Sequence, residues 1–169
     1  MKKPAQGLFL VDFAIIVVVL FIVLFAVMEL SRIVWIWNTA NEATRRGARV
    51  AAVCPINHPA IIETTIFATA GDGGPSPILR GLDIGNVSVD YLDEDGDSPE
   101  TTFEDIKYVR VSLNNYTVTP LIPFFNTTIS LPPFETTIPS ESLGHIPDPD
   151  DPAAAARCGC FGADLPCQP

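Results

Sequence analysis

Histidine is almost absent from this chain: there are two, His58 and His145, and each lies beside a stretch that reads as loop. There is no Gly-x-Ser-x-Gly elbow, His-Glu-x-x-His helix, Gly-rich phosphate loop or Gly-x-Gly-x-x-Gly turn. The usual carriers of nucleophilic, metal and cofactor chemistry are therefore missing, and the sequence reads as a non-enzyme. Positive charge is scarce as well. Ten Lys/Arg stand against twenty Asp/Glu, for a net charge of −10. Nucleic acid requires a basic face, so it is excluded as a partner.

The scarcity is uneven. Residues 1–53 carry a net +3 and residues 54–169 a net −13. Proline is nearly confined to the part after residue 54, where it predicts many turns and short elements. In 169 residues this describes one anchor and one modest domain.

One long apolar run is present, from Leu8 to Met28, broken only by Asp12. As a helix it spans about 30 Å, the thickness of a bilayer core. It is apolar on every side, unlike the helix of a soluble core. No small-x-small cleavage site follows Met28; the chain continues as Glu29-Leu30-Ser31-Arg32, which predicts a retained anchor. Asp12 is the anomaly, because a carboxylate inside such a helix costs about 2.5–3.5 kcal/mol on insertion scales. It either reaches toward headgroups from near the helix end or meets a positive partner in an assembled state. Lys2 and Lys3 favour a cytoplasmic N-terminus, while Arg32, Arg45, Arg46 and Arg49 on the far side oppose that assignment.

Past the run, Leu30, Ile33, Val34, Trp37, Ala40, Ala48 and Ala51 fall near helical spacing, and Pro55 supplies a stop. The spacing predicts one helix from Leu8 to Val53, with Trp35 and Trp37 at the level of an interfacial aromatic belt. Residues 58–70 read as a short second helix with Ile62, Ile66 and Phe67 on its buried side. Strands are predicted over Val87–Tyr91, Tyr108–Leu113 and Asn126–Leu131, with a hairpin turn at Asp93–Asp97. Residues 119–125 read as an apolar connection over the sheet, and residues 139–152 as a Pro/Asp-rich linker with little to bury. The fold class is thus α+β: a long N-terminal helix, a short helix and a small antiparallel sheet.

The residues also carry a resemblance. Lys2-Lys3, Gly7, the apolar run from Leu8 and an acid five residues after the glycine resemble a type IV prepilin signal. With Glu29, Arg32 and the stretch Asn41-Glu42-Ala43-Thr44-Arg45-Arg46-Gly47-Ala48-Arg49, the chain is similar to the TadE-like pseudopilins of tight-adherence (Flp-type) pili. The match is residue by residue at Glu29, Arg32, Asn41, Ala43, Arg45, Gly47, Ala48 and Arg49. The family places Glu where this chain has Asp12, which keeps the charge and shortens the arm.

The resemblance implies a pilin-like fold and a structural role as a minor pilin or pseudopilin in surface attachment or secretion. It implies an aspartyl prepilin peptidase cutting between Gly7 and Leu8, and a mature amine at Leu8 that neutralises Asp12 of a neighbouring subunit. Its partners would be other pilin subunits, the pilus assembly machinery, the peptidase and the membrane. Localisation would be the bacterial inner membrane with an extracytoplasmic C-terminal domain, then the assembled pilus or its tip. The main subunits of Flp-type pili are far shorter, which points to a minor role. On this reading residues 1–7 are a leader, 8–28 the transmembrane segment and 29–54 the amphipathic continuation. Residues 55–138 form the extracytoplasmic domain, 139–152 the linker and 153–169 a cysteine-containing tail outside the family pattern.

Two further constellations remain. With an exported domain, Cys54, Cys158, Cys160 and Cys167 favour two disulfides over a metal site, since Cys-x-Cys is tighter than zinc spacing. The favoured pairing joins Cys54 to Cys158 or Cys160, and Cys167 to the other. Asp93, Asp95, Asp97 and Glu104 fall at positions 1, 3, 5 and 12 of a calcium-loop count, but Ser98 stands where that loop needs glycine. An acidic solvated hairpin is the competing reading. The alternative function is an uncleaved, single-pass, membrane-anchored binding module that takes a partner or calcium through this acidic domain.

Overall fold

The computed structural model describes residues 6–69, 73–97, 102, 104–121, 128–146, 157–160 and 163–166. Its first element is a single helix, α1, over Gln6–Val53. Every side chain from Phe9 to Met28 is exposed except the partly covered Val17. Burial begins beyond it: Ile36, Ala40, Ala43, Ala48 and Ala51 form the face on which the rest of the chain packs. The fold class is the one expected, α+β with a long apolar helix, a short helix and a small antiparallel sheet. The buried face of α1 differs in detail. Ala40, Ala48 and Ala51 are buried, but Leu30 and Val34 are exposed, and Ile36 and Ala43 take the inward positions. Small residues are needed there because the sheet and the second helix approach the backbone of α1 closely.

Gly47 marks the closest approach. A Cβ built on it would lie 2.0 Å from the Thr65 hydroxyl oxygen and 3.2 Å from a Val111 methyl. The element bearing Thr65 is α2, Pro59–Thr65. His58 caps it, with Nδ1 accepting from the Ala60 N–H at 3.2 Å, and Pro59 suits the first helical position. Residues 58–70 do not all form helix. Phe67 adopts φ +60°, Phe67 N–H donates to Thr64 O, and Ala68 N–H donates to Glu63 O. That pair of bonds is a Schellman termination, here built on phenylalanine instead of glycine. The early stop places Ile61, Thr65 and Ile66 inside and leaves Ile62 and Phe67 partly exposed.

The main sheet has strand order β1-β2-β5, all antiparallel, with β1 at Val87–Leu92, β2 at Tyr108–Leu113 and β5 at Phe134–Pro139. The first two strands fall where alternation predicts them. Val87 faces Leu113 and Leu92 faces Tyr108, so residues 93–107 form the connection. The third strand is not Asn126–Leu131. Asn126 and Thr127 lie outside the described residues; in the rest of that stretch the strand is Ile129–Ser130 (β4), paired with Thr117–Val118 (β3) in a separate two-stranded piece. Pro132 and Pro133, which cannot donate to a ladder, separate it from β5. In β5, Phe134 is buried, Thr136 and Ile138 are partly buried, and the residues between are exposed. This strand lies on α1, where the Thr44 and Thr136 hydroxyls are 2.9 Å apart.

Of the stretch read as linker, residues 147–152 lie outside the described residues, and the part before them docks on the end of α1. Glu141 and Leu143 N–H groups both donate to Ala52 O, Leu143 is buried, and Gly144 at φ +78° lies against the Pro55 ring. A short third sheet follows: β6 at His145–Ile146, β7 at Arg157–Cys160 and β8 at Ala163–Pro166.

Glycine inside a helix normally costs about 0.5–1 kcal/mol against alanine. At Gly47 the sign should reverse, because the added methyl overlaps Thr65. Gly47→Ala is expected to lower unfolding stability by about 1–3 kcal/mol, in the range of overpacked cores. The added cost should be smaller in a Thr65→Ala background, measured as a double-mutant cycle by denaturant unfolding.

Candidate functional site

The functional features lie along α1. Phe9–Val53 is long and apolar enough, by length and composition, to cross a membrane, and its most apolar 18-residue window has a mean hydropathy of 3.3 with none of it buried. Ala14 leaves a shallow apolar notch on this surface, walled by Leu10, Val11, Ile15, Val18 and Val19. Asp12 is exposed, is not among the residues that wall this notch, and has no ion-pair partner among the described residues. Gly7 and Leu8 lie in the first turns of the same helix.

Where the apolar run ends, Glu29 and Arg32 form an i,i+3 ion pair. Arg32 donates to both carboxylate oxygens of Glu29, and its Nη2 also donates to Thr119 O at 2.9 Å. The backbone N–H of Leu121 adds a minor further stabilisation of the Glu29 carboxylate. One charge pair thus fastens the 119–121 loop to the helix at the first turn beyond Met28. The Arg32 hydrogen bonds hold the Glu29 carboxyl below its ordinary value, against an opposing push from burial. The pair was visible in sequence as two matching positions. Its partners were not, because they are backbone groups nearly ninety residues away.

The other matching positions divide by role. Asn41 donates to Trp37 O within the helix, and Gly47 makes the close approach to α2. Arg45 and Arg49 are exposed and make no ion pair among the described residues, while Arg46 pairs with Glu42 at 3.1 Å. The Arg46 guanidinium also lies 5.2 Å from the centroid of the Phe67 ring, a cation–π contact over the termination of α2. Nothing in the local sequence signals that contact.

Cys54 closes α1. It is 1% exposed, and its sulfur is in disulfide form. The side chains of Cys158 and Cys160, and the whole of Cys167, lie outside the described residues. The backbone course still brings part of that tail to the right end of the molecule. Gly144 lies against Pro55, and the next residue, His145, is the register partner of Cys158.

The acidic loop is held as a turn. Asp93 Oδ1 accepts from Gly96 N–H at 3.0 Å, Gly96 adopts φ +77°, and Arg110 donates to Gly96 O at 3.0 Å. No group of three or more metal-ligating side chains gathers among the described residues, so Asp93, Asp95, Asp97 and Glu104 are not brought together as a ligand set. Tyr91 and Tyr116 are structural: Tyr91 accepts from Asn57 N–H, Tyr116 donates to Arg80 O, and burial pushes both phenols up.

Residues 7–49 match the family model described as TadE-like protein. The matched stretch is α1 from its second residue to within four of its end, and includes Asp12, Glu29, Arg32 and Gly47. This associates the helix with tight-adherence pilus proteins, a structural family rather than an enzymatic one. No curated protein and no solved structure matches the chain.

Because the folded-state pKa of Glu29 is depressed below the ordinary 4.5, its contribution is present above that value and is lost as pH falls through the folded pKa. Amide-exchange protection across residues 117–121, which the Glu29–Arg32 pair holds through Thr119 O, should therefore fall on acidification and be lower at neutral pH in Glu29→Gln. Ion pairs near the surface are worth about 1 kcal/mol at most, so the fall should be about fivefold or less. Protection that is identical in the variant and unresponsive to pH would show that the loop is held by other contacts.

Proposed function

We propose that the chain is a structural subunit, a minor pilin or pseudopilin, of a tight-adherence-type pilus that serves surface attachment or secretion, with no catalytic activity of its own. One observation carries this reading. The family match coincides with a continuous helix whose first half is uncovered and apolar and whose second half is the spine of the folded domain.

In the proposed mechanism a prepilin peptidase cuts between Gly7 and Leu8 in the inner membrane, with the domain outside the cytoplasm. The Leu8–Met28 segments then leave the lipid and pack side by side with those of other pilin subunits, under the pilus assembly machinery. The notch at Ala14 suits a ridge of a neighbouring helix. Asp12 then sits among apolar side chains, where an ionised group is tolerated only when paired and hydrogen-bonded. The free amine of a neighbour's Leu8 supplies that pairing and fixes the axial register. A disulfide from Cys54 to Cys158 or Cys160, with Cys167 bound to the other, ties the tail to the end of the spine.

Intact-mass and N-terminal analysis of the membrane-expressed protein should find a chain beginning at Leu8; one retaining Lys2 would sink the pilin reading. Asp12→Ala should insert and be processed normally yet be depleted from sheared filaments by tenfold or more. Normal incorporation would remove the pairing role of Asp12. For the tail, a non-reducing peptide map should give a Cys54 peptide linked to the Cys158–Cys160 peptide. A Cys54–Cys167 link would overturn the proposed connectivity.

A further inference from the structure

The loops around the exit of α1 from its apolar run give the domain an underside. Arg32, paired with Glu29 directly after Met28, donates to Thr119 O, so the 119–121 loop is pinned at the level where the run stops. Leu121 nevertheless exposes 66% of its surface, and Ile78 exposes 45%. A cavity of about 200 Å³ opens between them, with Trp35, Tyr116 and Arg80 in its walls. Most polar groups there are satisfied: Arg32 is held by Glu29 and Thr119, and the Tyr116 hydroxyl donates to Arg80 O. The Arg80 side chain is the exception. It is exposed, and in a chain of twenty acidic residues it makes no ion pair among the described residues.

We infer that this underside is a seat for a phospholipid headgroup, with the Arg80 guanidinium on the lipid phosphate and Ile78 and Leu121 entering the acyl boundary. The inference rests on reading Leu8–Met28 as a membrane span. The occupant follows from continuity and charge. Trp35 lies seven residues past Met28, about 10 Å along the helix, at the depth where tryptophan belts meet headgroups. Ile78 and Leu121 border the same cavity, so an apolar rim and a cation face the leaflet from which α1 emerges. Guanidinium binds phosphate in fork geometry and is less strongly hydrated than ammonium, which suits a half-buried headgroup site. An unpaired cation in an otherwise acidic domain selects an anionic group. Seated this way, the domain would lie down on the bilayer instead of swinging on its helix, which would hold its other faces in a fixed attitude.

The test uses the full chain in nanodiscs of phosphatidylethanolamine and phosphatidylglycerol, with a benzophenone photoprobe in place of single residues. Leu121→benzoylphenylalanine and Ile78→benzoylphenylalanine should give lipid adducts, as should Val18→benzoylphenylalanine inside the run. Glu94→benzoylphenylalanine, in the acidic loop, should not. Arg80→Ala should lower adduct yield at position 78 about fivefold, the effect of one basic residue at an anionic surface, and leave position 18 unchanged. Arg80→Lys should retain most of the yield, which separates charge from packing. Labelling at 18 without labelling at 78 and 121 overturns the seat and leaves the span standing. Protein–protein adducts at 78 or 121 overturn it in favour of a subunit interface, and unchanged yield in Arg80→Ala overturns the phosphate contact. Absence of lipid adducts at 18 removes the span and the inference together.

Discussion

One unbroken helix has to satisfy two environments, and the position of its changeover governs the rest of the structure. Up to Met28 every described side chain of α1 except the partly covered Val17 points into space that the protein does not fill. From Ile36 onward one face is rich in alanine and glycine, so that a sheet and a second helix can press against it. A helix that was apolar all round would not select one packing face, and a helix that was amphipathic throughout would not cross a bilayer. The sequence resolves this by changing side-chain size as well as polarity. Large residues supply transfer free energy where the helix is uncovered, and small ones supply proximity where it is covered.

The changeover is marked by a charge pair instead of a break in the helix. Glu29 and Arg32 satisfy each other, and Arg32 also donates to the backbone carbonyl of Thr119. The pair is partly covered, with side chains 11% and 26% exposed, so it is neither a free surface bridge nor a fully desolvated one. Its main consequence is positional: the 119–121 loop, which follows directly on β3, is fixed in height against the apolar run. The opposite end of the domain is fixed in the same manner, by the Ala52 carbonyl accepting from Glu141 and Leu143 and by Pro55 against Gly144. The sheet is thus held to α1 at both ends of the buried face as well as by the core between them.

Much of this was legible in the sequence, for physical reasons that can be named. The apolar run, the later helical spacing and Pro55 give α1, and alternation gives β1 and β2. The end of α2 was missed because the residue in left-handed conformation is Phe67, which carries no turn signal; Arg46 over its ring is a long-range contact. The third strand was displaced because Asn126–Leu131 has the right composition, whereas Phe134, Thr136 and Ile138 have the right alternation after two prolines. Leu143 was read as linker because its neighbours are polar, and burial of one side chain at the end of a helix leaves no periodic trace. At Glu29 and Gly47 the sequence marked the residues but not their partners, since both act on groups brought near only by the fold.

Asp12 is the point at which magnitude distinguishes two roles for α1. Seventeen of the residues from Leu8 to Met28 are Leu, Ile, Phe or Val. At about 0.3–0.6 kcal/mol each on an insertion scale they favour the bilayer by roughly 5–10 kcal/mol. The carboxylate subtracts about 2.5–3.5 kcal/mol, less if it reaches the headgroups. On this balance insertion is favourable even with Asp12 unpaired, and no partner is needed for such a helix to enter a membrane. The balance changes when the same surface packs against other helices. There the apolar side chains gain little over lipid, since tails are as apolar as leucine, and association has to come from packing and polar contacts. A residue that costs a few kcal/mol in lipid and recovers it only beside a cation favours the assembled arrangement by that difference. On the proposed reading Asp12 is dispensable for anchoring and bears on assembly, while the notch at Ala14, on another side of the helix, would add packing.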